Sequence, residues 1–84
     1  MAEFLVELYV SRADRSRVDV AADALTRAGT ALRCVRTIFV PEDETGFLLF
    51  EAASLDDVLE AARNADIPLA RVSEAVTSPI VTDA

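Results

Sequence analysis

The pattern of apolar and polar positions predicts four β-strands. Along residues 3–10 the side chains alternate with a period of two, which is the spacing of a half-buried strand. Three further segments are short and rich in β-branched, aromatic and other large apolar residues. The predicted strands are residues 3–10, 32–40, 47–52 and 69–76. Residues 41–46 hold Pro, Gly and three acidic side chains, which predicts a turn joining the middle two strands as an antiparallel hairpin.

Two amphipathic helices are predicted between the strands, because apolar residues recur there at helical spacing. Ser16 begins the first helix, and its hydroxyl is expected to accept a hydrogen bond from the backbone N–H of Asp19. Gly29 is expected to end this helix in the left-handed conformation that glycine tolerates. Ser54 begins the second helix as its N-cap, and Asp66 ends it.

The resulting order is strand, helix, strand, strand, helix, strand. This is the split βαβ pattern of a ferredoxin-like α+β fold, in which two helices cover one face of a four-stranded antiparallel sheet. The sequence therefore predicts a single domain over residues 1–76. Residues 77–84, which include Pro79, are expected to form a loosely ordered C-terminal tail.

The face of the sheet away from the helices is predicted to be unusually apolar. Alternation directs these residues toward the helices: Phe4, Val6, Leu8, Val35, Phe39, Leu48, Phe50, Ala70 and Val72. The opposite phase holds Leu5, Glu7, Tyr9, Cys34, Arg36, Ile38, Phe47, Leu49, Glu51, Ser73 and Ala75. Because large exposed apolar patches mark interaction sites, we expect two copies to pack through this face as a homodimer.

Four polar residues in this apolar phase are the candidate site: Glu7, Tyr9, Arg36 and Glu51. A charge that becomes buried must be paired or hydrated, so these side chains are expected to line a cleft that faces a small ligand. The two carboxylates would accept hydrogen bonds or protons, Arg36 would hold an anionic or carbonyl group, and Tyr9 would donate. The structural alternative is an ion-pair network at the interface between the copies, Arg36 with Glu7 or Glu51, that only fixes the register.

Composition and charge exclude several classes of protein. The chain has 84 residues, of which 52% are hydrophobic, so it is not expected to be disordered. Its 15 acidic and 8 basic residues give a net charge of −7, which argues against binding to nucleic acid or to an anionic membrane. No targeting segment or apolar stretch long enough to span a bilayer is visible, so a cytoplasmic location is expected.

Two further features are weaker candidates for chemistry. Cys34 is the only cysteine, and a lone strand cysteine usually packs as a small apolar side chain rather than acting as a nucleophile or metal ligand. The acidic run at residues 42–44 lacks the glycine and spacing of a calcium-binding loop, and a solvated turn is the expected role.

Several segments together resemble a small bacterial, largely actinobacterial, domain family whose members are often labelled nickel-binding proteins. The likeness covers roughly residues 3–76 and is carried by residues 4–10, 36–45, 47–52, 54, 67–68 and 71–76. The resemblance implies a ferredoxin-like fold, a dimer and nickel as a cofactor. Imidazole is a side chain that suits nickel, and the chain has no histidine, so no metal ligand is predicted from its residues.

Three functions remain open at this level. The first is a dimeric accessory domain that binds a small ligand through Glu7, Tyr9, Arg36 and Glu51. The second is an enzyme of the small dimeric α+β barrel kind, such as an isomerase, a cyclase or a cofactor-free monooxygenase. The third is metal binding, with nickel as the metal that the resemblance implies.

Overall fold

The chain alternates strands and helices in the predicted order. The computed structural model describes residues 1–78. Its elements are β1 (Ala2–Tyr9), α1 (Arg17–Ala28), β2 (Arg33–Val40), β3 (Thr45–Ala52), α2 (Leu55–Ala65) and β4 (Arg71–Ala75). Short 3-10 turns at Arg12–Asp14 and Pro41–Asp43 precede α1 and β3. The predicted ferredoxin-like α+β fold is confirmed.

All four strands form one antiparallel sheet in the order β2-β3-β1-β4. The register places Val6 opposite Leu48 on β3 and opposite Val72 on β4. The predicted hairpin of β2 and β3 is present, and β3 and β1 are the two central strands. Because side chains alternate along each strand, this register fixes which residues share a face.

The core lies between the sheet and the two helices. Leu25 on α1 and Val58 on α2 are almost completely buried against Phe50 of β3 and its neighbours. The buried apolar side chains are Phe4, Val6, Leu8, Val10, Val18, Ala21, Ala22, Leu25, Leu32, Leu48, Phe50, Ala52, Val58, Ala61 and Ala62. The predicted inward residues of β1 and β3 form the sheet side of this core, and burial of apolar surface is the main favourable contribution to folding.

A β-bulge in β2 corrects the predicted faces of two residues. The pairing steps from Cys34 opposite Phe50 to Arg36 opposite Leu49, so Val35 is the extra residue. Cys34 therefore packs against the core on the helix side, although alternation placed it on the open face. Val35 was predicted to face the helices, but it is exposed and lies with Arg36 on the other side. The bulge shifts the phase by one residue, which alternation alone does not reveal.

The fourth strand is shorter than predicted. It begins at Arg71 rather than residue 69, and Ala70 is exposed instead of facing the helices. The backbone N–H of Ala70 donates to the carbonyl of Glu7 at 2.8 Å, so the chain joins the sheet at that point. Val72 packs against the core as predicted. Glu74 lies two residues from Val72 and faces the same side of the sheet, but it is exposed because β4 is an edge strand.

The helix ends agree with the sequence at Ser54 and differ at Ser16 and Gly29. The Ser54 hydroxyl accepts from the N–H of Asp57 at 3.3 Å. Ser16 has helical backbone angles after the 3-10 turn, so it makes no capping bond, and its hydroxyl donates to Asp14 instead. Gly29 is extended (φ −92°) rather than left-handed. A Cβ there would overlap the side chain of Leu32, so any larger residue would require this buried leucine to move.

Two further observations concern the predicted C-terminal tail and the possibility of a membrane-spanning helix. Of the predicted tail, Thr77 and Ser78 follow β4, whereas residues 79–84, including Pro79, lie outside the described residues. Over residues 1–78, neither helix combines the length and the apolar character that crossing a bilayer requires.

Candidate functional site

The open face, meaning the side of the sheet opposite the helices, carries an apolar centre between charged ends. One row across the sheet runs Arg36, Leu49, Leu5 and Ser73, and the next runs Ile38, Phe47, Glu7 and Arg71. Ile38 is 47% exposed and Val35 is 41% exposed. The sheet thus presents to solvent large side chains of the kind that usually lie inside a protein.

A groove of about 600 Å³ crosses this face, and we call it the open-face groove. Its apolar walls are Leu5, Val35, Ile38, Phe47 and Leu49, and its polar edges are Glu3, Arg36, Thr77 and Ser78. Ala75 at the end of β4 completes one side. A concave, mainly apolar surface with a few polar groups is the usual form of a small-molecule site.

One end of the open face is a charged row built from three strands. Arg33 Nη1 donates to Glu51 Oε1 at 2.8 Å, and Glu51 lies directly opposite Glu3 in the register. Like charges at such positions repel, and here each carboxylate has a separate partner. Glu3 accepts a 2.6 Å hydrogen bond from the hydroxyl of Thr77. This contact holds the segment after β4 against the edge of the groove.

The other end of the open face carries a looser ion pair. Arg71 Nε lies 4.0 Å from Glu7 Oε2, and the same nitrogen donates to Ser73 Oγ at 3.1 Å. The Arg71 side chain is 72% exposed, so solvent screens this contact and it adds little to stability. The position of Glu7 on the open face is therefore set by the register of β1, and its exposed ion pair with Arg71 contributes little.

Arg36 is the one charged residue of β2 that lines the groove. It sits opposite Leu49, one position beyond the bulge. Within residues 1–78 its guanidinium has no ion-pair partner, whereas Arg33 and Arg71 each have one. Within one chain Arg36 therefore pairs with neither Glu7 nor Glu51, since the register brings other arginines to both carboxylates.

The predicted site residues are only partly brought together. Glu7 and Glu51 lie four residues apart in the β3 register, which is ~13 Å along a strand, so they do not form a carboxylate pair. Tyr9 is 80% exposed at the end of β1. It borders a separate hollow of about 460 Å³ with Val20 and Ile67. Arg36 alone of the four lines the open-face groove.

Sequence reasoning missed four polar residues of this face: Glu3, Arg33, Arg71 and Thr77. Glu3 shares the phase of Leu5 and Glu7, so the period of two was sufficient to place it. Arg33 and Arg71 lie at strand ends, where the face of a residue depends on the exact boundary. Thr77 follows the last strand, and no periodic pattern extends that far.

The donor groups do not suit a nickel site. No group of three or more Cys, Asp or Glu side chains in residues 1–78 is arranged to hold a metal, and the sequence contains no histidine. Cys34 lies on the helix side, and its Sγ donates to the carbonyl of Arg36 at 3.7 Å. Burial, with a smaller contribution from Asp19, raises the pKa of this thiol above 9.0, which disfavours the thiolate that binds metals.

Comparison with known proteins supports the assignment of the fold. No protein-family model matches the chain, and no curated protein matches it. The crystal structure of SCO4226 from Streptomyces coelicolor A3(2) is similar, with a TM-score of 0.67 at 14% sequence identity. The alignment covers 93% of this chain and 100% of that chain. At this identity the likeness shows a shared ferredoxin-like fold, and the nickel-binding family stays a prediction.

Proposed function

We propose that this protein is a homodimeric binding domain in which the open faces of two copies enclose a small, mainly apolar ligand. The observation that carries the proposal is the open-face groove, whose walls include Leu5, Phe47 and Leu49. Its volume of about 600 Å³ falls in the range of small-molecule pockets, which is roughly 300–1,000 Å³.

The charge distribution supports a second copy as the cover of this face. Arg33, Arg36 and Arg71 balance Glu3, Glu7 and Glu51 on the open face, whereas the whole chain has a net charge of −7. Within residues 1–78, the excess negative charge therefore lies on the other surfaces. Two copies repel each other least when their open faces meet.

The size of the sheet is also adequate for a dimer. Four strands spaced ~4.8 Å apart and up to eight residues long cover a rectangle of about 19 by 26 Å. The flat area of such a face is ~490 Å², and the relief of its side chains adds to it, which compares with the ~600 Å² per partner at the lower end of stable interfaces. Because a chain this short has a small core, covering Ile38 and its neighbours also stabilises each subunit.

An enzyme has less support than a binding domain. The two carboxylates that would share acid and base roles are separated across the face, and Glu51 is engaged by Arg33. Nickel binding has no suitable donor set in the described residues. Ligand binding requires only the groove and its polar edges.

Sedimentation velocity with a paired substitution tests the dimer. We expect the wild type to sediment at micromolar concentration with twice its chain mass of 9.1 kDa. Ile38→Glu places a charge in the apolar centre and should give single chains. Val20→Glu makes the same kind of change on α1, where the residue is 64% exposed, and should leave the dimer intact.

Nile red, a neutral dye whose fluorescence rises in apolar surroundings, tests the groove. The wild type and Val20→Glu should enhance its emission, and Ile38→Glu should not, because it removes both the partner and a groove wall. Circular dichroism should show the same secondary structure for all three proteins. A folded wild-type monomer that does not bind the dye would overturn the proposal.

A further inference from the structure

Resting on the proposed function, we infer that the ligand of the open-face groove is an apolar anion, a carboxylate or an acid of similar charge, whose headgroup is bound by Arg36. The residue lies at the β2 side of the groove, beside Val35 and opposite Leu49. A cation is thus placed at the edge of an apolar wall, where it can bind a headgroup while the wall holds the ligand body.

The three arginines of the open face differ in their partners. Arg33 contacts Glu51 at 2.8 Å, and Arg71 lies 4.0 Å from Glu7. Among the residues that the structure describes, Arg36 has no such carboxylate, and it is the arginine of the three that lines the groove. Its five N–H donors therefore remain available for an added anion.

The negative groups of the groove lie away from Arg36. Glu3 is on β1, two strands across and one row along from Arg36, which separates their Cα atoms by ~12 Å. Its carboxylate accepts the hydrogen bond from Thr77. Glu51 is nearer, one strand across and one row along from Arg36, with ~8 Å between the Cα atoms, and it is already bonded to Arg33 at 2.8 Å. A bound anion at Arg36 thus meets a guanidinium that has no carboxylate of its own, and the nearest carboxylate is already paired.

Formation of the dimer increases the need for this anion. When a second copy covers the open face, the Arg36 guanidinium loses water, and a buried charge without a partner is strongly destabilising. A carboxylate matches the planar guanidinium with two parallel hydrogen bonds. The apolar body of the ligand then lies along Leu5, Phe47 and Leu49.

Two isosteric probes test the charge requirement. We expect isothermal titration calorimetry to show that 2-naphthoate binds the wild type about 10- to 100-fold more tightly than neutral 2-naphthamide, as a charge-assisted hydrogen bond implies. Arg36→Gln should bind both probes equally, with naphthamide affinity unchanged. Arg36→Lys should restore part of the preference. Arg27→Gln, which removes an exposed arginine paired with Asp23 on α1, should behave as the wild type.

The outcomes separate this inference from the proposed function. If the wild type is a dimer that binds Nile red and both naphthyl probes with one affinity, the charge assignment is wrong and the binding domain stands. If Arg36→Gln keeps the preference for 2-naphthoate over 2-naphthamide, the charge assignment is also wrong and the binding domain stands. If Arg36→Gln instead dissociates the dimer, the guanidinium binds a carboxylate of the second copy, and the inference fails. A wild type that binds neither Nile red nor either naphthyl probe would overturn both the inference of an anionic ligand and the proposed binding function.

Discussion

At the scale of single residues, the exchange of faces between Cys34 and Val35 changes their chemistry. The bulge turns the thiol toward the core and leaves the valine 41% exposed on the open face. Cys34 is half-buried, and its Sγ lies 3.7 Å from the carbonyl of Arg36. Alternation placed Cys34 on the wrong face, but the packing role expected of a lone strand cysteine agrees with its position against the core.

The reactivity of Cys34 follows from its burial. Desolvation raises the pKa of the thiol above the ordinary 9.0, so the folded protein holds less thiolate than the unfolded chain near neutral pH. We expect iodoacetamide to modify native protein more slowly than urea-unfolded protein. The midpoint of the native rate against pH should lie above that of the unfolded chain, as mass spectrometry can measure. Equal midpoints would contradict the burial of the thiol.

The same shift predicts how stability depends on pH. Because the unfolded thiol loses its proton first, the contribution of Cys34 is complete below the unfolded pKa and declines as pH rises toward the folded value. Urea unfolding of the wild type and Cys34→Ser across this alkaline range isolates the effect. We expect the wild type to lose more stability than the variant as the pH increases, and parallel curves would disagree with the shift.

At the scale of elements, the two helices differ in how they begin. Ser54 is an extended N-cap whose hydroxyl accepts from Asp57, whereas Ser16 continues from a 3-10 turn and caps nothing. The sequence motifs are nearly alike, with Ser followed by an Asp three residues later. The difference comes from the preceding turn, since a capping residue needs extended rather than helical backbone angles.

These two serines form a matched test. Ser54→Ala should lower the free energy of unfolding by about 1 kcal/mol because it leaves the N–H of Asp57 without its partner. Ser16→Ala should change it by much less, since that hydroxyl makes only a 3.4 Å contact with Asp14. Urea unfolding monitored by circular dichroism gives both values. A larger effect at Ser16 would show that the first helix is capped by its hydroxyl.

The sequence predicts the elements better than the site, for a physical reason. Hydrophobic periodicity is a local property, and it placed all four strands, both helices and the inward phase of β1 and β3. The site depends on which residues lie opposite each other across strands that are distant in sequence. A single bulge moved Cys34 and Val35, and the register joined Glu51 to Arg33 instead of Arg36. Neither the bulge nor the cross-strand pairing can be recognised from the local periodicity of the sequence.

At the scale of the whole molecule, folding and association should be coupled. The sheet has helices on one face only, and the apolar centre around Ile38 and Leu49 gains a cover through the proposed dimer. A subunit with this small a core gains stability from its partner by mass action. The stability of the native state should therefore depend on how much protein is present.

Calorimetry at several concentrations checks this coupling. The midpoint of thermal unfolding should rise by a few degrees for each tenfold increase in the wild-type concentration. Ile38→Glu should unfold at a lower midpoint that does not change with concentration. Val20→Glu provides the control with an equal change of charge. A wild-type midpoint that is constant over this range would contradict the coupling.

The bulge in β2 also determines the direction from which another sheet can approach. β2 is an edge strand, and a regular edge offers a row of free N–H and C=O groups on which a neighbouring chain can extend the sheet sideways. The extra residue at Val35 interrupts that row, and the opposite edge, β4, is only five residues long. Lateral growth into fibrils is thus disfavoured at both edges, whereas the proposed packing across the broad side of the sheet does not depend on either edge.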